Sequence, residues 1–159
     1  MKKINSFKVD HTRMLEGIYV SRKDVTPNGD VLTTLDIRMK WPNHSYIHPK
    51  AMHTIEHLGA TFLRDFPDFA GKVVYFGPMG CATGFYLILQ GDWDSHQLVF
   101  PMISLMAFIR DYKGDIPGAT MKECGNYLYH DLKEAKKVAA DYIDCLNNIT
   151  ADNLSYPKD

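Results

Sequence analysis

Pro49-Lys50-Ala51-Met52-His53-Thr54-Ile55-Glu56-His57-Leu58-Gly59-Ala60-Thr61-Phe62-Leu63-Arg64-Asp65-Phe66 is the stretch on which the reading of this chain turns. Met52, Ile55, Gly59, Phe62 and Phe66 recur at about 3.6 residues, and Pro49 suits a first helical position, so the spacing predicts a helix from Pro49 to about Phe66. At about 100° per residue, that apolar stripe lies on the far side of the helix from His53 and His57. The two histidines therefore do not fill the core of their own helix. Residues i and i+4 stack on one helix face, close enough to aim two ring nitrogens at a single divalent ion at about 2.0–2.1 Å from each. A pair of solvated histidines on a polar face has the same spacing, and Glu56 between them moves the balance only modestly toward a metal site.

Working outward, the chain reads as an α+β alternation. Thr34 to Trp41 is the clearest strand: Leu35, Ile37, Met39 and Trp41 alternate with Thr34, Asp36, Arg38 and Lys40. One face should be buried, with Arg38 projecting from the other. Phe7 to Val9 and Gly17 to Ser21 read as short strands, and Thr26-Pro27-Asn28-Gly29-Asp30 as a turn with Gly29 free to take positive φ. Lys72 to Phe76 and Phe85 to Gln90 are two further strands flanking a loop that holds Gly80 and Cys81. Asp94 or Ser95 can cap a helix to about Asp111, which Pro101 should kink or delay. Asp131 to Asn148 gives the last helix, and 153–159 reads as a loose tail.

With 159 residues and 45% hydrophobic composition, the chain suits one domain with a proper core. Eighteen basic residues against 19 acidic ones, without a long single-sign run, give no electrostatic footprint for nucleic acid or an anionic membrane. A small molecule or a second copy of the chain is the expected partner. Neither a signal-peptide core nor an apolar stretch of membrane-spanning length is seen, which reads as a cytosolic protein.

Three cysteines, an odd number, argue for reduced thiols rather than a disulfide framework. Cys145 falls beside the stripe Val138, Ala139, Tyr142, Leu146 and Ile149, where a small hydrophobe is expected, and is assigned no chemistry. Cys81 and Cys124 each lie in a glycine-containing loop, where ligands and nucleophiles concentrate. Two histidines and one thiolate make an accepted ligand set with one open position, so His53, His57 and a loop cysteine would complete a catalytic metal site. The other thiol would then be free for acid–base work, with Arg38 a candidate guanidinium to favour its thiolate.

Ser6-Phe7 followed by Asp10-His11, Leu35-Asp36-Ile37-Arg38 followed by Pro42-Asn43, His53-Thr54-Ile55-Glu56-His57-Leu58, Pro78-Met79-Gly80-Cys81 with Thr83-Gly84 and Tyr86, Cys124-Gly125, and His130-Asp131-Leu132 stand in one order along nearly the whole chain. Together they resemble the S-ribosylhomocysteine lyases, the LuxS family, which makes the precursor of the autoinducer-2 signal. The resemblance implies a single α+β domain, an antiparallel sheet packed with helices in two layers, and a homodimer with active sites at the subunit interface. It implies that His53, His57 and Cys124 bind Fe²⁺ or Zn²⁺ with water or substrate in the fourth place, that Glu56 and Cys81 carry protons, and that Ser6, His11 and Arg38 line the substrate pocket. The implied chemistry opens the ribose of S-ribosylhomocysteine, moves the carbonyl from C1 to C2 to C3 through enediolates, and expels homocysteine by β-elimination, leaving dihydroxypentanedione; the metal would act as a Lewis acid.

Tyr75 stands where many members have an acidic residue, so contacts to the homocysteine end should differ, and Glu134 stands where relatives often have Gly. Glu134 also matters to a rival. The pattern His-x-x-Glu-His resembles that of inverted-zincin peptidases, whose third ligand is a downstream Glu, but that reading leaves Cys81 and Cys124 unexplained. A non-catalytic metal-binding dimer with a closed site is a second alternative.

Overall fold

The structure, a computed structural model, describes Ile4 and residues 7–157. Strands β1 (Gly17–Val25), β2 (Val31–Arg38), β3 (Val73–Pro78) and β4 (Gly84–Gln90) form one antiparallel sheet in the order β1-β2-β4-β3. Helices α1 (Pro49–Asp65), α2 (Val99–Asp111) and α3 (Leu132–Asn147) pack together, with α1 against β3 and against both other helices. The α+β class and the two-layer arrangement expected from the sequence are what the described residues form. Among the described residues, no helix is long and apolar enough to cross a membrane.

One face of the sheet makes the core. Leu35 and Ile37 from β2, Phe85, Leu87 and Leu89 from β4 and Ile18 from β1 are fully buried in one cluster with Ile55 and Leu58 of α1, Met102, Leu105, Met106 and Ile109 of α2 and Val138, Ala139 and Tyr142 of α3. Burying each large apolar side chain contributes roughly 1.5–3 kcal/mol, so this cluster is the main stabilising term. Helix α1 begins as its sequence dictates, with Pro49 in the first turn and the His48 side chain accepting from Lys50 N. Its buried side is Met52, Ile55, Leu58, Gly59 and Leu63, which leaves His53, Glu56 and His57 on the opposite, half-exposed side. Gly59 has no spare room, since a Cβ there would lie 2.4 Å from the Phe76 ring.

Several expectations are corrected. Strand β2 starts at Val31 and ends at Arg38 rather than spanning Thr34 to Trp41, because Met39 and Lys40 both turn their amides to Thr83 O. Trp41 is accordingly exposed and stacks on His44. Arg38 does not project from a solvated face: Thr34, Asp36 and Arg38 are all buried, with Arg38 only 3% exposed. The cover comes from segments read as peripheral. Tyr156 stacks on Tyr19 at 4.8 Å, and Leu154 is buried, so residues 153–157 are a packed segment rather than a loose tail. Phe7 to Val9 forms turns and not a strand. Strand β1 continues past Ser21 through a bulge to Val25, and Thr26–Asp30 then turns as expected, with Gly29 at φ 88°. The second helical segment begins with a short 3₁₀ turn, His96–Leu98, and Pro101 lies in the first turn of α2, where a missing amide costs little.

The β3–β4 connection is fastened on both sides. Met79 O accepts from Ala82 N, Ala82 O accepts from Ile47 N, and Thr83 O takes the two β2-end amides, while Ala82 itself sits at φ 59°. Gly84, paired with Arg38, lets the strands close, because a Cβ there would lie 2.1 Å from Ile37 O. Gly84→Ala should therefore lower unfolding free energy by at least about 2 kcal/mol, whereas Gly80→Ala, with open space around it, should stay within about 0.5 kcal/mol of the parent. Urea midpoints at equal slope test the pair.

Candidate metal centre and thiol pocket

The histidines of α1 are oriented by backbone carbonyls. His53 Nδ1 lies 2.8 Å from Tyr129 O and His57 Nδ1 lies 2.7 Å from Pro117 O. A carbonyl only accepts, so each Nδ1 carries a proton, and it is Nε2 of each neutral ring that has a lone pair to offer a cation. Both carbonyls belong to the long connection between α2 and α3, which is tied to the start of α1. Asp131 N donates to Lys50 O at 3.3 Å and to Thr54 Oγ1 at 3.0 Å, and Lys50 sits over the Tyr129 ring. Cys124 is presented from the same connection by a turn in which its amide reaches Thr120 O, and its Sγ is 3.4 Å from His53 Nε2. Gly118, at φ 69°, allows the connection to pass His57 closely.

A third imidazole joins them. The candidate ligand atoms of His53, His57, Cys124 and His130 all lie within 4.8 Å of one another. Thr54 Oγ1 gives its proton to Lys50 O, so it accepts from His130 Nδ1 at 3.3 Å, and His130 also turns Nε2 inward. Among the described residues, that Nε2 is the one buried side-chain nitrogen or oxygen without a hydrogen-bond partner. Burial, and then the neighbouring His53 and His57, push the His130 ring down to about 4, so it is neutral at physiological pH. The donor set fits a divalent cation of the zinc or iron type: imidazole nitrogens and a thiolate with no cationic side chain among them.

Geometry separates the three rings. His53 and His57 meet edge to face at 90°, whereas His130 lies flat on His53, 4.0 Å between centroids and 12° between planes. An imidazole binds a cation in its own ring plane, and two stacked, nearly parallel planes share no nearby point. In this arrangement His130 backs His53 and cannot bind the same ion well. Glu56 lines the same cleft together with Ala60, Phe76 and Glu123. Glu134 is not in the ligand cluster; it sits in the first turn of α3, where its amide is capped by Asp131 at 2.9 Å. That placement removes the third ligand the peptidase-type alternative needs.

The second grouping is on the other side of the sheet. His11, Arg38 and Cys81 line one cleft with Asn43 and Tyr46, and among the described residues this cleft shares none with the metal cleft. Ser6 lies outside the described residues. Arg38 is held by Asp36 with two contacts, Nε to Oδ1 at 3.1 Å and Nη2 to Oδ2 at 2.6 Å, and its Nη1 is 3.6 Å from Cys81 Sγ. Burial pushes the Cys81 thiol up, but the hydroxyl and amide of Thr83 and then the Arg38 guanidinium outweigh it, leaving Cys81 below the ordinary thiol value. Cys145 goes the other way: burial, and then Glu16, push it up to about 11. Tyr75 lines a third cleft, on the outer face of the sheet, with Arg22, Thr34 and Tyr86.

Sequence reasoning singled out His53, His57, Cys124, Cys81, His11 and Arg38, and the structure gathers them into two groups. It did not single out His130, Asp36, Thr83 or Tyr156 for a site. His130 next to the cap of α3 was a weak signal; the others depend on folding of distant segments over the sheet.

Known proteins are similar to this chain over nearly its whole length. The family described as S-Ribosylhomocysteinase (LuxS) matches residues 4–152. The chain is 52% identical over 159 residues to the S-ribosylhomocysteine lyase of Phocaeicola vulgatus, covering 99% of this chain and 98% of that one. It is 53% identical over 161 residues to the protein of the same name from Clostridium beijerinckii, covering 99% and 100%, and 49% identical over 160 residues to that from Desulfotalea psychrophila, covering 99% and 100%.

At pH 7, a thiol titrating at about 11 is ionised to about one part in 10⁴. A brief iodoacetamide pulse on the native protein should therefore label Cys81 extensively before Cys145 is detectable by peptide mass mapping. Labelling in the reverse order would contradict the electrostatics described for both sites.

Proposed function

This chain belongs to the S-ribosylhomocysteinase (LuxS) family, and on that premise we propose that it cleaves S-ribosylhomocysteine to homocysteine and dihydroxypentanedione, the autoinducer-2 precursor. The observation that carries the reading is the convergence of His53, His57 and Cys124 from two distant segments into one ligand cluster, with a carboxylate, Glu56, beside it. We assign the metal to His53 Nε2, His57 Nε2 and Cys124 Sγ, with His130 stacked behind His53. When bound, Fe²⁺ or Zn²⁺ supplies Lewis acidity toward the migrating carbonyl.

The residues of the chain move the protons. Carbonyl migration removes a proton from the carbon next to a carbonyl and returns one to the neighbouring carbon. Elimination then removes one more proton and breaks the carbon–sulfur bond. Glu56, at the metal cleft, and Cys81, held ready as thiolate, are the two carriers. His11 and Arg38, lining the cleft of Cys81, contact the sugar hydroxyls, and Ser6 is assigned to the same pocket. Tyr75, on the outer face with Arg22 and Tyr86, replaces an acidic contact to the amino-acid end with an aromatic one. No hydride cofactor enters.

The two carriers line separate clefts, so one chain does not by itself make a working site. By strand alternation Arg38, Asp36 and Tyr86 face away from the helices, on the outer face of the sheet, whereas Glu56 belongs to the helical layer. We infer a homodimer in which the metal cleft of one copy meets the thiol cleft of the other. Large side chains left exposed, Tyr46 in the thiol cleft and Tyr75 on the outer face of the sheet, support such an interface. Three free thiols suit a reducing compartment, consistent with a cytoplasmic enzyme.

Two measurements test the assignment. Metal analysis after dialysis should show about one ion per chain in the parent, most of it lost in Cys124→Ala and none lost in Glu134→Ala. His130→Ala should keep the stoichiometry but weaken affinity roughly 10–100-fold, as expected for a group that orients a ligand. In thiol-release assays on S-ribosylhomocysteine, Glu56→Gln with full metal should fall roughly 10²–10⁴-fold in turnover. Near-normal turnover in that variant would remove Glu56 from the mechanism.

A further inference from the structure

The outer face of the sheet carries a directed polar chain that ends on Cys81. Tyr156 donates to Asp36 Oδ2 at 2.9 Å. Three donors thus meet the Asp36 carboxyl, Tyr156 and two arms of Arg38, which identifies it as the carboxylate and fixes the plane of the guanidinium. The remaining arm, Arg38 Nη1, donates to Thr83 Oγ1 at 2.5 Å. Thr83 Oγ1 is in turn 3.0 Å from Cys81 Sγ.

The direction of the last link follows from chemistry. A guanidinium has only donors, so Arg38 occupies a lone pair of the Thr83 oxygen and leaves the hydroxyl proton free to point at sulfur. The hydroxyl is also the nearer neighbour of the sulfur, at 3.0 Å against 3.6 Å for Arg38 Nη1. Thr83 is 5% exposed, so water competes little for that proton. A hydroxyl already accepting from a cation is polarised and is the better donor to a thiolate.

We propose that Thr83 is a positioning residue for Cys81: its hydroxyl, oriented by Arg38, donates to the Cys81 sulfur and holds it as thiolate. This rests on the reading of Cys81 as a proton carrier and adds the group that keeps it charged. The Thr83 amide, which also reaches the sulfur, survives any side-chain change, so the hydroxyl can be isolated. The other titratable groups lining the cleft of the thiol are Arg38 from β2, His11 from the N-terminal segment, and His44 and Tyr46 from the segment before α1; Asp36, Tyr86 and Tyr156 line an adjoining cleft that shares His11 and Arg38 with it. Substituting Thr83 alters none of their charges.

The test is the pH dependence of Cys81 alkylation in the metal-loaded protein, followed by mass mapping of the Cys81 peptide. Thr83→Val keeps the shape and removes the hydroxyl, and its alkylation midpoint should rise by about one pH unit, with labelling about tenfold slower below both midpoints. Thr83→Ser should return the midpoint to near the parent value. Thr83→Ala, which cannot overpack the site, should shift as Thr83→Val does and decides the matter if the valine variant folds poorly. A parent midpoint well below about 8.5 that neither variant moves would overturn the proposal and leave the Thr83 amide and Arg38 to hold the thiolate. A parent midpoint at or above about 8.5 would instead overturn the reading of Cys81 on which the proposal stands.

Discussion

Burial of one side of α1 against the sheet and its neighbouring helices fixes where its other side points. Met52, Ile55, Leu58 and Leu63 cannot leave the core without losing several kcal/mol each, so His53, Glu56 and His57 are held at one place on the surface of that layer. The long segment between α2 and α3 then closes over them, lending Tyr129 and Pro117 carbonyls to set the rings and placing Cys124 beside His53 in the candidate ligand cluster. Ring orientation is established before any cation arrives, because the carbonyl contacts choose the tautomer that leaves Nε2 free. His130, packed flat on His53, stiffens the same ring without sharing its plane.

The thiol side of the molecule depends on a different device. Asp36 and Arg38 form an ion pair that is almost fully buried, with side chains 2% and 4% exposed. Desolvating two charges offsets much of their attraction, so such a pair adds little net stability, while removing one partner costs about 3–5 kcal/mol. What it does supply is direction. A bidentate carboxylate leaves the guanidinium one free edge, and that edge faces Thr83 and Cys81. The same packing that covers the pair, Tyr156 stacked on Tyr19 at one end of the sheet, ties the C-terminal segment to the environment of the thiol.

Much of this was legible in the chain. The extent of α1 follows from its apolar period and from Pro49, and α3 follows from its stripe. The family resemblance, carried by short motifs in order, singles out His53, His57 and Cys124, which the structure brings into one cluster, and Cys81, which lines a separate cleft. What did not follow was the burial of the outer face. Thr34, Asp36 and Arg38 alternate with apolar residues, a pattern of a half-solvated strand, and nothing local announces that Tyr156, more than a hundred residues away, will bond Asp36. Trp41 extends the alternation by composition but not by structure, since the chain leaves the sheet at Arg38 to bond Thr83. His130 was hidden for a similar reason, because stacking on His53 is a tertiary contact with no sequence period.

The central claim is that a working site needs the metal cleft of one copy and the thiol cleft of another. Subunit complementation measures it directly. Cys124→Ala and Cys81→Ser proteins, each inactive alone, are co-expressed with different tags, and the mixed dimer is purified and assayed for homocysteine release. If the clefts combine across the dimer, the mixed species holds one intact site and recovers about half of the parent turnover per dimer. A mixed dimer as inactive as either homodimer, with its metal still bound to the Cys81→Ser chain, would show that each site is built within a single chain and would contradict the account.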